Sequence, residues 1–270
     1  MPPEEPRRAS DEHESSAAWY PTHTDEPRPV PLRLVPAPHD DAVARHPHLA
    51  EPLPVGWVRV DMHSHTMWSG DSTTTPEEIA RAVTESGIDV LCITDHNAIK
   101  GAVDLAKSLP CRVIVGEELR TRAGEIIGLF LDEHIPIGVQ PADAARAIRA
   151  QGGIVYIPHP YDPMRRNLNE SALESLIAEG LVDAIEVINA KTSMLSLNRR
   201  AASTALAHDL AAGAGSDAHV PDAIGAAYVE VADFDGPQDF LTKLRAGRPV
   251  GHHWDKPRPW SARVLPSTRT

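Results

Sequence analysis

The chain has 270 residues, enough for one large α/β domain or two small ones, and its net charge of -12 argues against a dedicated nucleic-acid binder. Two cysteines, Cys92 and Cys111, make no disulfide framework and read as reduced thiols inside apolar runs. No stretch of about 18 apolar residues offers a membrane span, and MPPEEPRRAS lacks the apolar segment of a signal peptide, so a cytoplasmic protein is expected.

The first 56 residues hold 12 of the 25 prolines and no sustained hydrophobic periodicity. Such a segment buries too little apolar surface to offset its ordering entropy, so residues 1–52 are expected to form a disordered tail. Its five histidines (His13, His23, His39, His46, His48) are scattered and read as solvated. WVRVDMH then reads as a strand. A helix follows from a well-marked start, with Thr75 as N-cap, Pro76 at the first helical position and Glu77 and Glu78 near the positive end of the dipole. IDVLCIT is a continuous apolar, β-branched run, as in a strand buried on both faces. A helical stretch over 98–109 leads to two successive strands, CRVIVG and EIIGLFL. Pro141 opens the helix ADAARAIRA, and GGIVYI is again a strand. Helices near 171–179 and 199–209 bracket the strand DAIEVI, and AAGAGS, AYVEV and a helix near 237–246 complete the domain, taken as 53–253. Residues 254–270 are Pro- and Arg-rich and read as an irregular tail. About seven buried strands alternating with helices imply a largely parallel sheet, open or closed into a barrel.

Polar residues recur where these strands end. Asp61, His63 and His65 close the first strand, Asp95 and His96 follow IDVLCIT, and Glu117 and Glu118 follow CRVIVG. His159 comes after GGIVYI, and Asp217 and His219 come after AAGAGS. In barrels and open α/β sheets alike, that edge is where loops build the active site. Imidazole and carboxylate without thiolate suit zinc, manganese or iron rather than a structural zinc finger. In His63-Ser64-His65 the two imidazoles sit two apart on extended chain and point the same way, able to grip one ion.

DMHSHTMWSGD, ITDHN, VGEEL, IPHP and GSDAH, in this order, resemble the motifs of the PHP (polymerase and histidinol phosphatase) family, and the resemblance covers nearly everything between the tails. It implies a distorted (β/α)7 barrel holding two or three divalent metal ions (manganese, iron or zinc), with ligands at His63, His65, Asp71, His96, Glu118, His159, Asp217 and His219. The family's Gly-x-Glu pattern favours Glu118 over Glu117. Many members follow that glutamate with a histidine ligand at the start of the next strand. This chain has Gly124-Glu125 there, so Glu125 is either a substitute ligand or a surface glutamate.

The implied activity is hydrolysis of a small phosphate ester, a nucleotide or a sugar or alcohol phosphate, by a metal-activated hydroxide. Oligonucleotides stay within the family's range. His219 and Asp95 are the catalytic candidates, Asp95 as a ligand-orienting group, a proton carrier or a helix cap. Arg165 and Arg166, with Arg199 and Lys191 behind them, are the candidates for binding phosphate. Two rival readings are an amidohydrolase-type C–N hydrolase and a non-catalytic metal-binding module. The former needs a bridging lysine or glutamate on a middle strand, and neither Lys100 nor Lys107 sits at a strand end.

Overall fold

The computed structural model describes residues 52–253 and the two-residue strand β1 (Arg33–Leu34). β1 falls within the stretch 1–52 expected to be disordered, and it pairs in parallel with Val250 and Gly251; the rest of the expected tails, with the five tail histidines, lies outside the described residues. After β1 come β2 (Trp57–Ser64), α1 (Pro76–Ser86), β3 (Val90–Ile93), α2 (Lys100–Leu105), β4 (Arg112–Thr121) and β5 (Gly124–Leu129). They are followed by α3 (Pro141–Ala150), β6 (Ile154–Ile157), α4 (Glu170–Ala178), β7 (Ala184–Asn189), α5 (Leu195–Ala207) and β8 (Ala211–Gly215). Last come β9 (Ala227–Ala232), α6 (Gly236–Leu244) and β10 (Arg248–Gly251).

The strands lie in the order β1-β10-β9-β2-β3-β4-β5-β6-β7-β8. The β8 end curls back to β2. Asp217 N donates to His63 O at 2.8 Å and His65 N to Ala218 O at 2.9 Å, so the sheet is nearly closed into a barrel at the C-terminal edge of these strands. Asp61 reinforces the seam from inside, its carboxylate accepting from Ser216 N at 2.9 Å and Gly225 N at 3.0 Å.

The α/β barrel-like architecture is as expected, but strict strand–helix alternation is not. β4 runs into β5 through a two-residue turn, and β5 is antiparallel to both β4 and β6. β9 is antiparallel to β2 and to β10. The sheet is therefore mixed rather than largely parallel. The reason is local: Arg122 and Ala123 leave no length for a crossover helix, which needs a dozen or more residues. β4 itself serves two partners, parallel to β3 up to Val115 and antiparallel to β5 from Gly116 onward. A Cβ at Gly116 would lie 2.9 Å from Gly128 O and 3.1 Å from Thr94 Cγ2, so only glycine lets the two neighbours meet there.

Apolar periodicity explains the layers. β3 and β6 are buried on both faces, as their continuous apolar runs require, and β7 is fully buried although it carries Glu186 and Asn189. On α1 the residues Ile79, Ala82, Val83 and Ser86 face the sheet at helical spacing. Two helices depart from expectation at their ends: α2 is shorter, and α5 starts four residues earlier, at Leu195. Cys92 and Cys111 are both free thiols. No helix among the described residues is long and apolar enough to cross a membrane.

The start of α1 is a reciprocal cap. Glu78 N donates to Thr75 Oγ1 at 3.3 Å and Thr75 N donates to Glu78 Oε2 at 2.9 Å. Thr75→Ala is expected to lower the unfolding free energy by about 1 kcal/mol. Urea unfolding reads this as a lower midpoint at unchanged slope, and an unmoved midpoint would contradict the cap.

Candidate metal centre

At the closed edge of the sheet the strand ends bring nine side chains together. His63 and His65 leave β2 with their Nε2 atoms 3.1 Å apart. Glu118 from β4 lies between them and the next strands. One of its oxygens is 2.9 Å from His159 Nε2, and the other is 3.3 Å from His65 Nε2 and 3.0 Å from His96 Nδ1. Asp217, after β8, lies 3.4 Å from His65 Nε2. Asp71 joins His219 Nε2 at 3.0 Å to His96 Nε2 at 3.3 Å. Four overlapping groups could each hold a metal ion, their donor atoms within 4.8 Å of one another. These are His65, Asp71, His96 and His219; His63, His65 and Glu118; His63, His159 and Asp217; and Glu118, Glu125 and His159.

Glu125 turns inward. It stands opposite Arg120 in the β4–β5 ladder, is 3% exposed, and points Oε1 to 3.8 Å from His96 Nδ1 without any hydrogen bond. The reading of Glu125 as a surface glutamate is therefore wrong for this chain, because the antiparallel hairpin presents it on the same face as Glu118. Burial, then the neighbouring Glu118 carboxylate, pushes its pKa up to about 7. Burial alone would raise Glu118 too, but the charge of His63 and the hydrogen bond from His159 hold it well below the ordinary range.

The donor set fits divalent metal ions. His63 has acceptors on both sides, with Glu186 Oε1 at 3.1 Å from Nδ1 and the oxygens of Glu118 and Asp217 at 3.5 and 3.8 Å from Nε2. His96 likewise lies between Glu118 and Asp71. Burial opposes their charge, but without a metal these carboxylates favour the protonated form of both imidazoles. A neutral imidazole has one N–H to give and turns its other lone pair toward carboxylate oxygens, an arrangement that a cation between them resolves. Nitrogen and oxygen donors with no thiolate suit manganese, iron or zinc.

A cavity of about 890 Å3 opens over the cluster, and Arg120, Arg165, Arg166 and His134 line it alongside Trp68, Ile99, Ile137 and Met164. Arg165 Nε is 3.8 Å from Asp217 Oδ2. The other phosphate-binding candidates fall elsewhere. Lys191 stands behind the cluster, 2.9 Å from His219 Nδ1 and 3.5 Å from Asp217 Oδ1. Arg199 is exposed on α5 and outside the cavity lining, because that helix turns it outward.

Asp95 does not reach the cavity either. It is fully buried and accepts from Thr66 N and Thr66 Oγ1, both at 2.6 Å, so it ties down the loop after His65. It caps no helix, since α2 has Ile99 at its N-cap and no side-chain cap. Ser69 on that loop lies 3.0 Å from His65 Nδ1 and accepts from His96 N at 3.2 Å. Glu117 turns the opposite way from Glu118 and meets His134 Nδ1 at 2.8 Å. Sequence reading overlooked Glu186, which is fully buried on β7 against His63. Its signal was a lone charge inside the apolar run AIEVIN, since a buried carboxylate demands partners.

The sequence model of the PHP domain matches residues 61–178, and that of the PHP-associated region matches residues 196–249. The uncharacterized protein MJ1587 of Methanocaldococcus jannaschii is 39% identical over 146 residues, 49% of this chain and 82% of that one. A two-domain protein from Bacteroides vulgatus, described as containing a predicted PHP-like metal-dependent phosphoesterase, superposes with a TM-score of 0.59 at 19% identity, over 84% of this chain and 70% of its own. An amidohydrolase from Chromobacterium violaceum superposes with a TM-score of 0.50 at 18% identity, over 62% of this chain and 89% of that one. At these identities the structural likeness bears on the fold alone.

Glu125→Gln keeps the side chain's shape and removes its charge. The metal-free variant is expected to melt no lower than wild type, because an unpartnered buried carboxylate oxygen is lost. Added Mn2+ should raise its melting temperature less than it raises that of wild type. Equal Mn2+-induced rises in scanning fluorimetry would put Glu125 outside the metal cluster.

Proposed function

The chain belongs to the PHP family, and on that premise we propose that it hydrolyses phosphate esters of small organic molecules. The observation that carries this reading is the pairing of an oxygen- and nitrogen-rich metal cluster with guanidinium groups in one cavity. Phosphate is the group that needs both at once: cations beneath its oxygens and planar forks beside them. Divalent ions bound in the cluster supply Lewis-acid charge that acidifies water and offsets the phosphate oxygens.

The chain's own residues divide the remaining work. Arg165 reaches from the cavity wall toward Asp217, where its fork meets a phosphate seated over the cluster. Arg166 lines the same cavity and adds a second guanidinium. Lys191, 3.5 Å from Asp217, offsets that carboxylate from behind and stays clear of the substrate. His219 serves as a neutral imidazole: burial, then His65, pushes its pKa down to about 4, so its lone pair is available at neutral pH. Trp68, Ile99, Ile137 and Met164 give the organic part of the ester an apolar wall to rest on. A cavity of about 890 Å3 has room for a nucleotide or a sugar or alcohol phosphate beyond the phosphate itself.

Turnover of a panel of phosphate monoesters and diesters, with amides and lactones alongside, tests this reading on Mn2+-loaded protein. Phosphate esters alone are expected to turn over. Hydrolysis of only the amides or lactones would favour the C–N hydrolase, and metal binding without any turnover would favour a non-catalytic module. His63→Ala and Asp217→Ala should each lower turnover by more than the roughly hundredfold that outer-sphere substitutions cost, with an unchanged circular dichroism spectrum. Wild-type rates in either variant would refute the cluster's role. Arg165→Ala should lower kcat/KM by about 10- to 100-fold, as loss of a charged hydrogen bond worth roughly 1.5–3 kcal/mol requires.

A further inference from the structure

We propose that Glu186 and Asn189, neither of which lines the cavity, form a buried bracket that positions three candidate ligands from three different strand ends. The proposal rests on the metal reading of the cluster and concerns which ion the bracket governs. Both oxygens of Glu186 are engaged. Oε1 faces His63 Nδ1 at 3.1 Å and accepts from Tyr156 Oη at 3.3 Å. Oε2 accepts from His159 N at 2.6 Å and from Asn189 Nδ2 at 2.9 Å. Asn189 Nδ2 also donates to Asp217 Oδ2 at 3.4 Å. One carboxylate and one amide thus tie together His63, His159 and Asp217, which are the members of one of the four metal-holding groups.

Three features mark this as a built arrangement. A carboxylate facing His63 Nδ1 takes that ring's N–H, which leaves the Nε2 lone pair directed into the cluster. His159 and Asp217 are non-glycine residues with positive φ, 29° and 50°, in the left-handed region where a side chain needs outside support. The bracket holds the first by its backbone N–H and the second by its carboxylate. Gly215 on β8 completes it. A Cβ there would lie 2.3 Å from His63 Cβ and 2.8 Å from Glu186 Oε1, so the imidazole and its carboxylate meet only because that position is glycine.

The outer group, His65, Asp71, His96 and His219, has other supports. Ser69 holds His65, and the backbone carbonyl of Asp217 holds His219 at 2.8 Å. The bracket therefore acts selectively, weakening the inner ion when it is lost and sparing the outer one.

Calorimetric titration of metal-free full-length protein with Mn2+ tests this. Glu186→Gln keeps the volume but replaces one of two accepting oxygens with an amide N–H2, which in either orientation faces donors that Glu186 now satisfies. It is expected to weaken the inner Mn2+ by about 10- to 100-fold, the range for lost outer-sphere partners, and to leave the outer Mn2+ at wild-type affinity. Asn189→Ala, which removes the tie to Asp217, one donor to Glu186 and the acceptor of Lys191 N at 2.8 Å, should weaken the same ion by less. It serves as the second variant should Glu186→Gln fail to fold, which circular dichroism reports. Unchanged Mn2+ affinities in both variants, or equal weakening of every ion, would overturn the bracket while leaving the metal reading standing. A wild type that binds no Mn2+ would instead overturn the metal reading and this proposal with it.

Discussion

Four carboxylates (Asp71, Glu118, Glu125 and Asp217) and five imidazoles (His63, His65, His96, His159 and His219) crowd together at one edge of the sheet, all of them buried except the exposed Asp71 and the half-buried His96. Carboxylates at such separations repel one another strongly once water is removed. Lys191 and Arg165 meet Asp217, yet Glu125 Oε1 is left without a hydrogen-bond partner. The chain supplies donors in excess of the protons and cations that it brings, and divalent ions are the counter-charge that this donor set fits.

The barrel closes at the same place as the cluster. The seam between β8 and β2 is made by the ligand-bearing segments themselves, through Asp217 to His63 and His65 to Ala218. Backbone pairing that completes the sheet therefore also fixes the spacing of the donors, and rigid strand ends hold a site more accurately than free loops would. The β4–β5 hairpin has a parallel consequence. A strand followed by a crossover helix delivers its ligands at one end only, whereas the antiparallel return of β5 brings Glu125 back beside Glu118. The break in strand–helix alternation is what allows an additional carboxylate at the cluster.

Much of this was legible in the sequence, and the exceptions have physical causes. Strand and helix assignments followed from continuous apolar runs and from the Thr75–Pro76 start, which the reciprocal cap of α1 bears out. Strand-end placement brought out the histidines and the pair at 117 and 118, because edge position needs only the strand boundary. Glu125 stayed undecided, since which face it takes depends on hairpin register and not on its own neighbours. Arg199 lies on the exposed side of α5 and outside the cavity, because helical phase and not nearness in sequence decides which side chains face the site. Asp95 looked catalytic from its place beside His96, but only the fold reveals that Thr66 occupies both its oxygens. Glu186 lies in the middle of β7, where the sequence signals burial but only the fold brings His63 against it. β10, with Pro249 in a four-residue strand, was too short to signal itself.

The central claim is that these side chains hold divalent ions, and anomalous X-ray diffraction tests it most directly. Crystals grown with Mn2+ and measured on both sides of the manganese absorption edge locate bound ions without reference to activity. Anomalous peaks are expected within His63, His159 and Asp217 and within His65, Asp71, His96 and His219. Ordered side chains in these positions with no anomalous density among them would contradict it.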